Sequence, residues 1–154
     1  MEAFVRPFES ADEPLVSFLV AAALEGVTSH RGGNEYLERF TENLDALRAE
    51  VSLAVEGRGR ELLVGLLDGH LFGFCLIEHA GEVLTVEALY VDPEAREVGL
   101  GTSLMEAAEQ KAKELGCVRI ESLVLPGDRR SKQRAESTGL KARLLVLSKA
   151  LNER

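Results

Sequence analysis

Apolar and polar positions change period along this chain, and the changes mark its elements. From Val83 to Val91 nearly every residue is apolar, in the order Val-Leu-Thr-Val-Glu-Ala-Leu-Tyr-Val. Strict alternation puts Val83, Thr85, Glu87, Leu89 and Val91 on one face and Leu84, Val86, Ala88 and Tyr90 on the other. Both rows are largely apolar, so the run predicts a central strand covered on both sides, ended by Asp92-Pro93. The period then lengthens. Leu100, Leu104, Ala107, Ala108, Lys111 and Leu115 recur at helical spacing and predict a long amphipathic helix. Glu109 and Lys113 form an i,i+4 pair on its wet side, and Gly116 stands at the C′ position.

The rest of the chain is read in the same way. Ala3–Phe8 predicts a first strand. Ser10-Ala11-Asp12-Glu13 has capping-box spacing and Pro14 fits a first turn; Leu15, Phe18, Leu19, Ala22 and Ala23 then mark one face of a helix ending near Gly26. After a loop at His30–Gly33, Asn34 caps a second helix with the stripe Leu37, Phe40, Leu44, Leu47 and Val51. Gly57–Arg60 is a second loop. The runs Glu61–Leu67, His70–Glu78 and Val83–Val91 are separated by Asp68-Gly69 and Ala80-Gly81 and predict an antiparallel meander. Cys117–Leu125 predicts a fifth strand, parallel to the fourth because strand–helix–strand units close that way. Pro126-Gly127-Asp128 leads into a short helix over about Arg129–Thr138, Gly139 stops it, and Ala142–Lys149 is a last strand. The pattern is one α/β (α+β) domain over residues 1–154, with a mixed central sheet of about six strands and about four helices.

Between the central strand and the long helix stands Arg96-Glu97-Val98-Gly99-Leu100-Gly101. Two glycines one residue apart let a backbone approach a ligand closely. The helix that follows presents its first amides, unpaired and pointing one way, with a partial positive charge. Arg96 to Thr102 therefore reads as a phosphate site. It is not a dinucleotide fingerprint, since Leu104 stands where the third glycine belongs, and it is not a Walker loop, since no lysine precedes Thr102.

The sequence Arg-x-x-Gly-x-Gly after a strand ending in Val-Asp-Pro resembles the acyl-CoA-binding motif of the GCN5-related N-acetyltransferase (GNAT) superfamily. The element order resembles that family's over essentially the whole chain. The resemblance implies that strands four and five run parallel but splay, with the pantetheine arm in the opening. It implies that backbone groups of Leu89 and Val91 hold the arm, that amides from Val98 through Gly99, Leu100 and Gly101 to Thr102 hold the pyrophosphate, and that Arg96 assists. Glu97 serves through its amide, with its side chain turned to water. Asp128 takes the place where the family often has asparagine.

An amine acetylated directly by acetyl-CoA needs a proton acceptor, an oxyanion donor and a proton for the leaving thiolate. The resemblance puts the oxyanion donor near Leu89 or Tyr90. Glu87, a carboxylate in an apolar strand, is the first candidate base, and Glu121 on the fifth strand is the second. The alternative for Glu87 is a carboxylate at the sheet's wet face or one paired with a nearby arginine. The family's helix-four tyrosine is missing, because Ala135 holds its place, so Tyr90 or solvent is left as the acid. That helix is instead basic, with Arg129, Arg130, Lys132 and Arg134: mostly a solvated face, with one or two residues free to meet the 3′-phosphate of CoA. The last strand carries Leu144-Leu145-Val146-Leu147 and is too apolar for a free edge, which predicts a homodimer with two-fold symmetry.

Composition narrows the class. A formal charge of −8 argues against nucleic acid. No run reaches membrane-spanning length and no secretory signal opens the chain, so a cytoplasmic location is expected. Cys75 and Cys117 are far apart and form no zinc pattern, and the three histidines suggest no metal site. The expected function is N-acetyl transfer from acetyl-CoA to a small-molecule or peptide amine. The alternative is a non-catalytic acyl-CoA-binding sensor or regulator of the same fold. Glu25, His30, Glu35 and Tyr36 stand where the fold would meet an acceptor.

Overall fold

The computed structural model describes residues 2–25, 32, 33, 35–39, 58–149 and 151. The positions Phe40, Leu44, Leu47, Val51 and His30 lie outside the described residues. The elements in order are β1 (Ala3–Pro7), α1 (Glu13–Leu24), β2 (Arg58–Leu67), β3 (His70–Ala80), β4 (Val83–Val91), α3 (Leu100–Glu114), β5 (Arg119–Ser122) and α4 (Arg129–Ser137). Residues 35–39, between α1 and β2, are helical and are called α2. The sheet has five strands in the order β1-β2-β3-β4-β5, antiparallel except for the parallel pair β4–β5.

Local chemistry explains most boundaries. Asp68 and Gly69 both take positive φ, 49° and 83°, as a two-residue hairpin turn between β2 and β3 requires. Gly116 ends α3 with φ 74°, and the Cys117 amide reaches back to the Ala112 carbonyl at 2.9 Å. The expected loop at Gly57–Arg60 is shorter than read, since β2 already begins at Arg58.

Two apolar layers cover the sheet. On one side Leu100, Leu104, Met105, Ala108 and Ala112 of α3 pack on Leu63, Cys75, Leu84 and Val86. Leu115, read as part of that stripe, is largely exposed, and Lys111 pairs with Glu61 of β2 at 3.2 Å. The helix approaches closely because the sheet offers glycine beneath it: a Cβ on Gly65 would stand 2.9 Å from Leu100 Cδ1. On the other side Val16, Leu19 and Val20 of α1 pack on Leu62, Val64, Phe74 and Leu76. The face read from sequence is thus corrected: Leu15 and Phe18 are exposed, Phe18 by 66%. Almost every position of α1 is apolar, so periodicity alone could not choose the buried face. Cys75 lies in the middle of β3, fully buried, and burial pushes its thiol up to about 12.

Residues 142–149, expected as a last strand, join no strand among the described residues, and Leu144 to Leu147 are 82–92% exposed. That segment accounts for the difference between five strands and about six.

Candidate functional site

The site begins at an irregularity in β4. Leu76 of β3 faces Ala88, but its neighbour Ile77 faces Val86, so Glu87 is an extra residue in the ladder. The bulge overturns strict alternation along β4. Leu84 and Val86 share the α3 side with Leu89 and Val91, while Ala88 and Tyr90 turn to the α1 side.

Glu87 is 1% exposed and is fixed from α2. Arg39 donates through Nε to Oε2 and through Nη2 to Oε1, each at 2.7 Å, and the Tyr36 hydroxyl donates to the Glu87 carbonyl at 3.1 Å. The bond to Glu87 raises the Arg39 pKa, and burial, with the Glu87 charge nearby, raises that of the Tyr36 phenol. Glu87 is therefore paired with an arginine, the second of the two roles open to it. Its carboxylate is not on the cleft wall described next.

Parallel pairing of β4 with β5 runs only from Val83↔Arg119 to Val86↔Ser122, extended by one bond from the Leu123 amide to the Val86 carbonyl at 3.1 Å. Beyond it the strands part. A cleft of about 270 Å³ opens there, walled by Ala88 to Val91 of β4, by Leu123 and Leu125, by Leu24, Glu25 and Tyr36, and by Asp128, Arg134 and Ala135 of the α4 segment. Tyr90 is on this wall, its ring 6.2 Å from that of Phe74 and 5.5 Å beneath the Arg96 guanidinium. Ala135 is also there, so α4 brings no hydroxyl to that point. The Val91 carbonyl faces the open side and accepts from Arg96 Nε at 3.0 Å; alternation along the strand puts the Leu89 carbonyl on the same side.

A second cleft of about 340 Å³ adjoins the first, and Val91, Arg96, Arg130 and Arg134 line both. Its floor is the loop and first turn of α3: Glu97, Gly99, Gly101 and Thr102. Gly99 is the N-cap with φ 86°, and no side chain caps this end. The amides there are left for a ligand. The Glu97 and Val98 side chains are exposed, so only their backbone can serve; Leu100 is 1% exposed and its side chain belongs to the core.

The two glycines prove different in kind. A Cβ on Gly99 would meet nothing within 4 Å, and its requirement is the left-handed φ. A Cβ on Gly101 would stand 2.6 Å from Arg134 Nε, so that position is small because an arginine lies on it. Asp128 is the N-cap of α4, accepting from the Ser131 amide at 3.1 Å and its hydroxyl at 2.7 Å. Glu121 is exposed and pairs loosely with Arg119 at 3.6 Å. Of the side chains placed at the site by sequence, Tyr90, Arg96 and Asp128 converge on the clefts. Arg39 was not singled out, and Arg134 was named only among the four basic residues of α4, toward the 3′-phosphate of CoA. The signal for Arg134 was its spacing of four from Arg130, which puts both on one face of α4.

Among the described residues no group of three His, Cys, Asp or Glu could hold a metal ion, and no helix is long and apolar enough to cross a membrane. A sequence model of the acetyltransferase (GNAT) family matches residues 24–139. Similar solved structures include a transcriptional regulator from Bacillus halodurans C-125, with 20% identity, TM-score 0.70 and coverage of 97% of this chain and 100% of that one. A ribosomal-protein-alanine N-acetyltransferase from Brucella melitensis biovar Abortus 2308 follows at 17% identity and TM-score 0.69, covering 97% and 100%. The aminoglycoside N-acetyltransferase AAC(6')-Iy in complex with CoA has 16% identity and TM-score 0.63, covering 96% and 99%. At these identities the likeness is one of fold. No curated protein matches the sequence significantly.

Proposed function

The chain belongs to the acetyltransferase (GNAT) family, and from that premise we propose that it moves an acetyl group from acetyl-CoA to a primary amine by direct attack. The observation that carries the reading is the continuity of the two clefts. One end is an uncapped helix start beside three arginines, suited to phosphates; the other is a splayed strand edge whose carbonyls face away from β3, suited to an amide-bearing arm.

Acetyl-CoA supplies an activated thioester. The amine nitrogen bonds to the carbonyl carbon, the carbon–sulfur bond breaks, and the thiolate leaves. In this reading Leu89 and Val91 hold the arm through their backbone and an amide near Leu89 or Tyr90 faces the developing oxyanion. Tyr90, whose hydroxyl has no partner among the described residues, gives the thiolate its proton. Glu87 acts as a positioning residue, since Arg39 holds both its oxygens, and the amine proton leaves to water at the mouth beside Glu25. The acceptor is a small-molecule or peptide amine in the cytoplasm. The AAC(6')-Iy structure, named for an aminoglycoside acceptor, supports the small-molecule form. The exposed run Leu144–Leu147 supports a homodimer in which a second copy covers it; a monomer by light scattering at micromolar concentration removes that part.

Ala135 on the cleft wall favours one rival, an acyl-CoA-binding regulator without turnover. Release of free thiol from acetyl-CoA in the presence of an amine panel separates the two. Release that depends on one amine supports transfer. Tight acetyl-CoA binding with no release across the panel supports the regulator.

A further inference from the structure

We infer that Arg134 is the side chain with which this protein completes its phosphate site, closing on the diphosphate of CoA against the first turn of α3. The inference rests on the acetyl-CoA reading above.

Arg134 lies flat on that turn, since the space a Cβ would take at Gly101 is 2.6 Å from its Nε and 3.4 Å from its Cζ. It is half-buried, and burial lowers its pKa from the ordinary arginine value. A cation withdrawn from water is normally paired. Arg134 forms no salt bridge among the described residues. The Asp128 charge offsets part of that shift, but both Asp128 oxygens are hydrogen-bonded to Ser131. The other charged neighbours of Arg134, Arg96 and Arg130, are also cations, and the helix start adds a further partial positive charge. In a chain of net charge −8, three arginines and an open helix end face one cleft, whose lining carries a single carboxylate, the exposed Glu97. An anion relieves that arrangement.

Position selects which phosphate. Arg134 lines both clefts, as Arg96 and Arg130 also do, and in addition lies against Gly101 in the first turn of α3, the place of the diphosphate and not of the ribose 3′-phosphate further on. A guanidinium fork can hold two phosphate oxygens at once. Arg96, which the sequence nominated, is committed through Nε to the Val91 carbonyl and stacks on Tyr90. The arginine needed at this loop therefore comes from α4, and Gly101 is glycine to admit it.

Calorimetry of the full chain with acetyl-CoA and with 3′-dephospho-CoA tests this, using the native protein, Arg134→Met, Arg134→Lys and Arg96→Met. Arg134→Met weakens both ligands by the same factor, about tenfold or more; Arg134→Lys falls between. Arg96→Met, which removes a neighbouring cation of the same cleft, weakens both ligands by less than Arg134→Met does, and a larger loss in Arg96→Met overturns the inference. Circular dichroism confirms that each variant is folded. A loss with acetyl-CoA that vanishes with 3′-dephospho-CoA assigns Arg134 to the 3′-phosphate and overturns the inference, as does native affinity in Arg134→Met. Failure of the native chain to bind either ligand removes the acetyl-CoA reading itself.

Discussion

Arg39, on the helical segment whose Tyr36 lines the first cleft, and Arg134, which lines both clefts, make opposite bargains with the fold. Arg39 is half in solvent, yet it is fully engaged, bidentate on a carboxylate that is 1% exposed. Arg134 is the more enclosed and has no carboxylate partner among the described residues. The first arrangement is complete within the chain and fastens α2 to the bulge of β4. The second is completed only by a ligand. Residues that look alike in sequence thus divide into one that holds the site together and one that waits for what the site binds.

The largest effect should come from breaking the first arrangement. Arg39→Met leaves the Glu87 carboxylate buried without its partner and should cost about 3 kcal/mol of stability, read from denaturant unfolding. Arg39→Met combined with Glu87→Met should recover much of that loss, because an apolar pair needs no counter-charge. Next comes the converse. Arg134→Met should leave the melting temperature unchanged or slightly raised while acetyl-CoA affinity falls, a loss of about 1.4 kcal/mol per tenfold. A stability loss like that of Arg39→Met would erase the distinction between the two arginines.

A third pair sharpens it through pH. Asp12 accepts from Arg6 at 2.7 and 3.0 Å and from the Glu9 amide at 2.8 Å, and the Arg6 bonds hold its pKa below the usual carboxylate range. A depressed carboxylate contributes stability that is present above its unfolded value and lost as pH falls through its folded one. Asp12→Asn should therefore flatten the fall in stability below about pH 4 and leave the alkaline side unchanged. The smallest effect is Tyr36→Phe, which removes one hydrogen bond to the Glu87 carbonyl and should cost about 1 kcal/mol. Acetyl-CoA affinity should be untouched, since the acceptor-side wall alone is loosened.

The sequence was most legible where structure is local. The strand–loop–helix joint, the Asp68-Gly69 hairpin and the Gly116 stop each depend on a few neighbouring residues, and each was read correctly. What was misread depends on distant pairing. The bulge at Glu87 is set by how β3 lies alongside, and no period within β4 announces it. Arg39 and Glu87 are 48 residues apart, with no pattern connecting them. Residues 142–149 have a strand's composition but pair with neither sheet edge among the described residues. That Arg134 lies against Gly101 was not legible either, because a motif names the arginine in the loop, while packing of α4 on α3 decides what else reaches it.

The thiol of Cys75, sealed in the third strand with its pKa pushed up to about 12, makes the sheet its own timekeeper. Burial keeps that thiol protonated at neutral pH and out of reach, so an alkylating reagent must wait for the strands to come apart. Cys117 is only half-buried beyond the end of α3 and answers sooner, to local fraying. The interval between the two labels, followed by mass spectrometry, measures how long the native sheet stays closed, and how much longer once a ligand is bound.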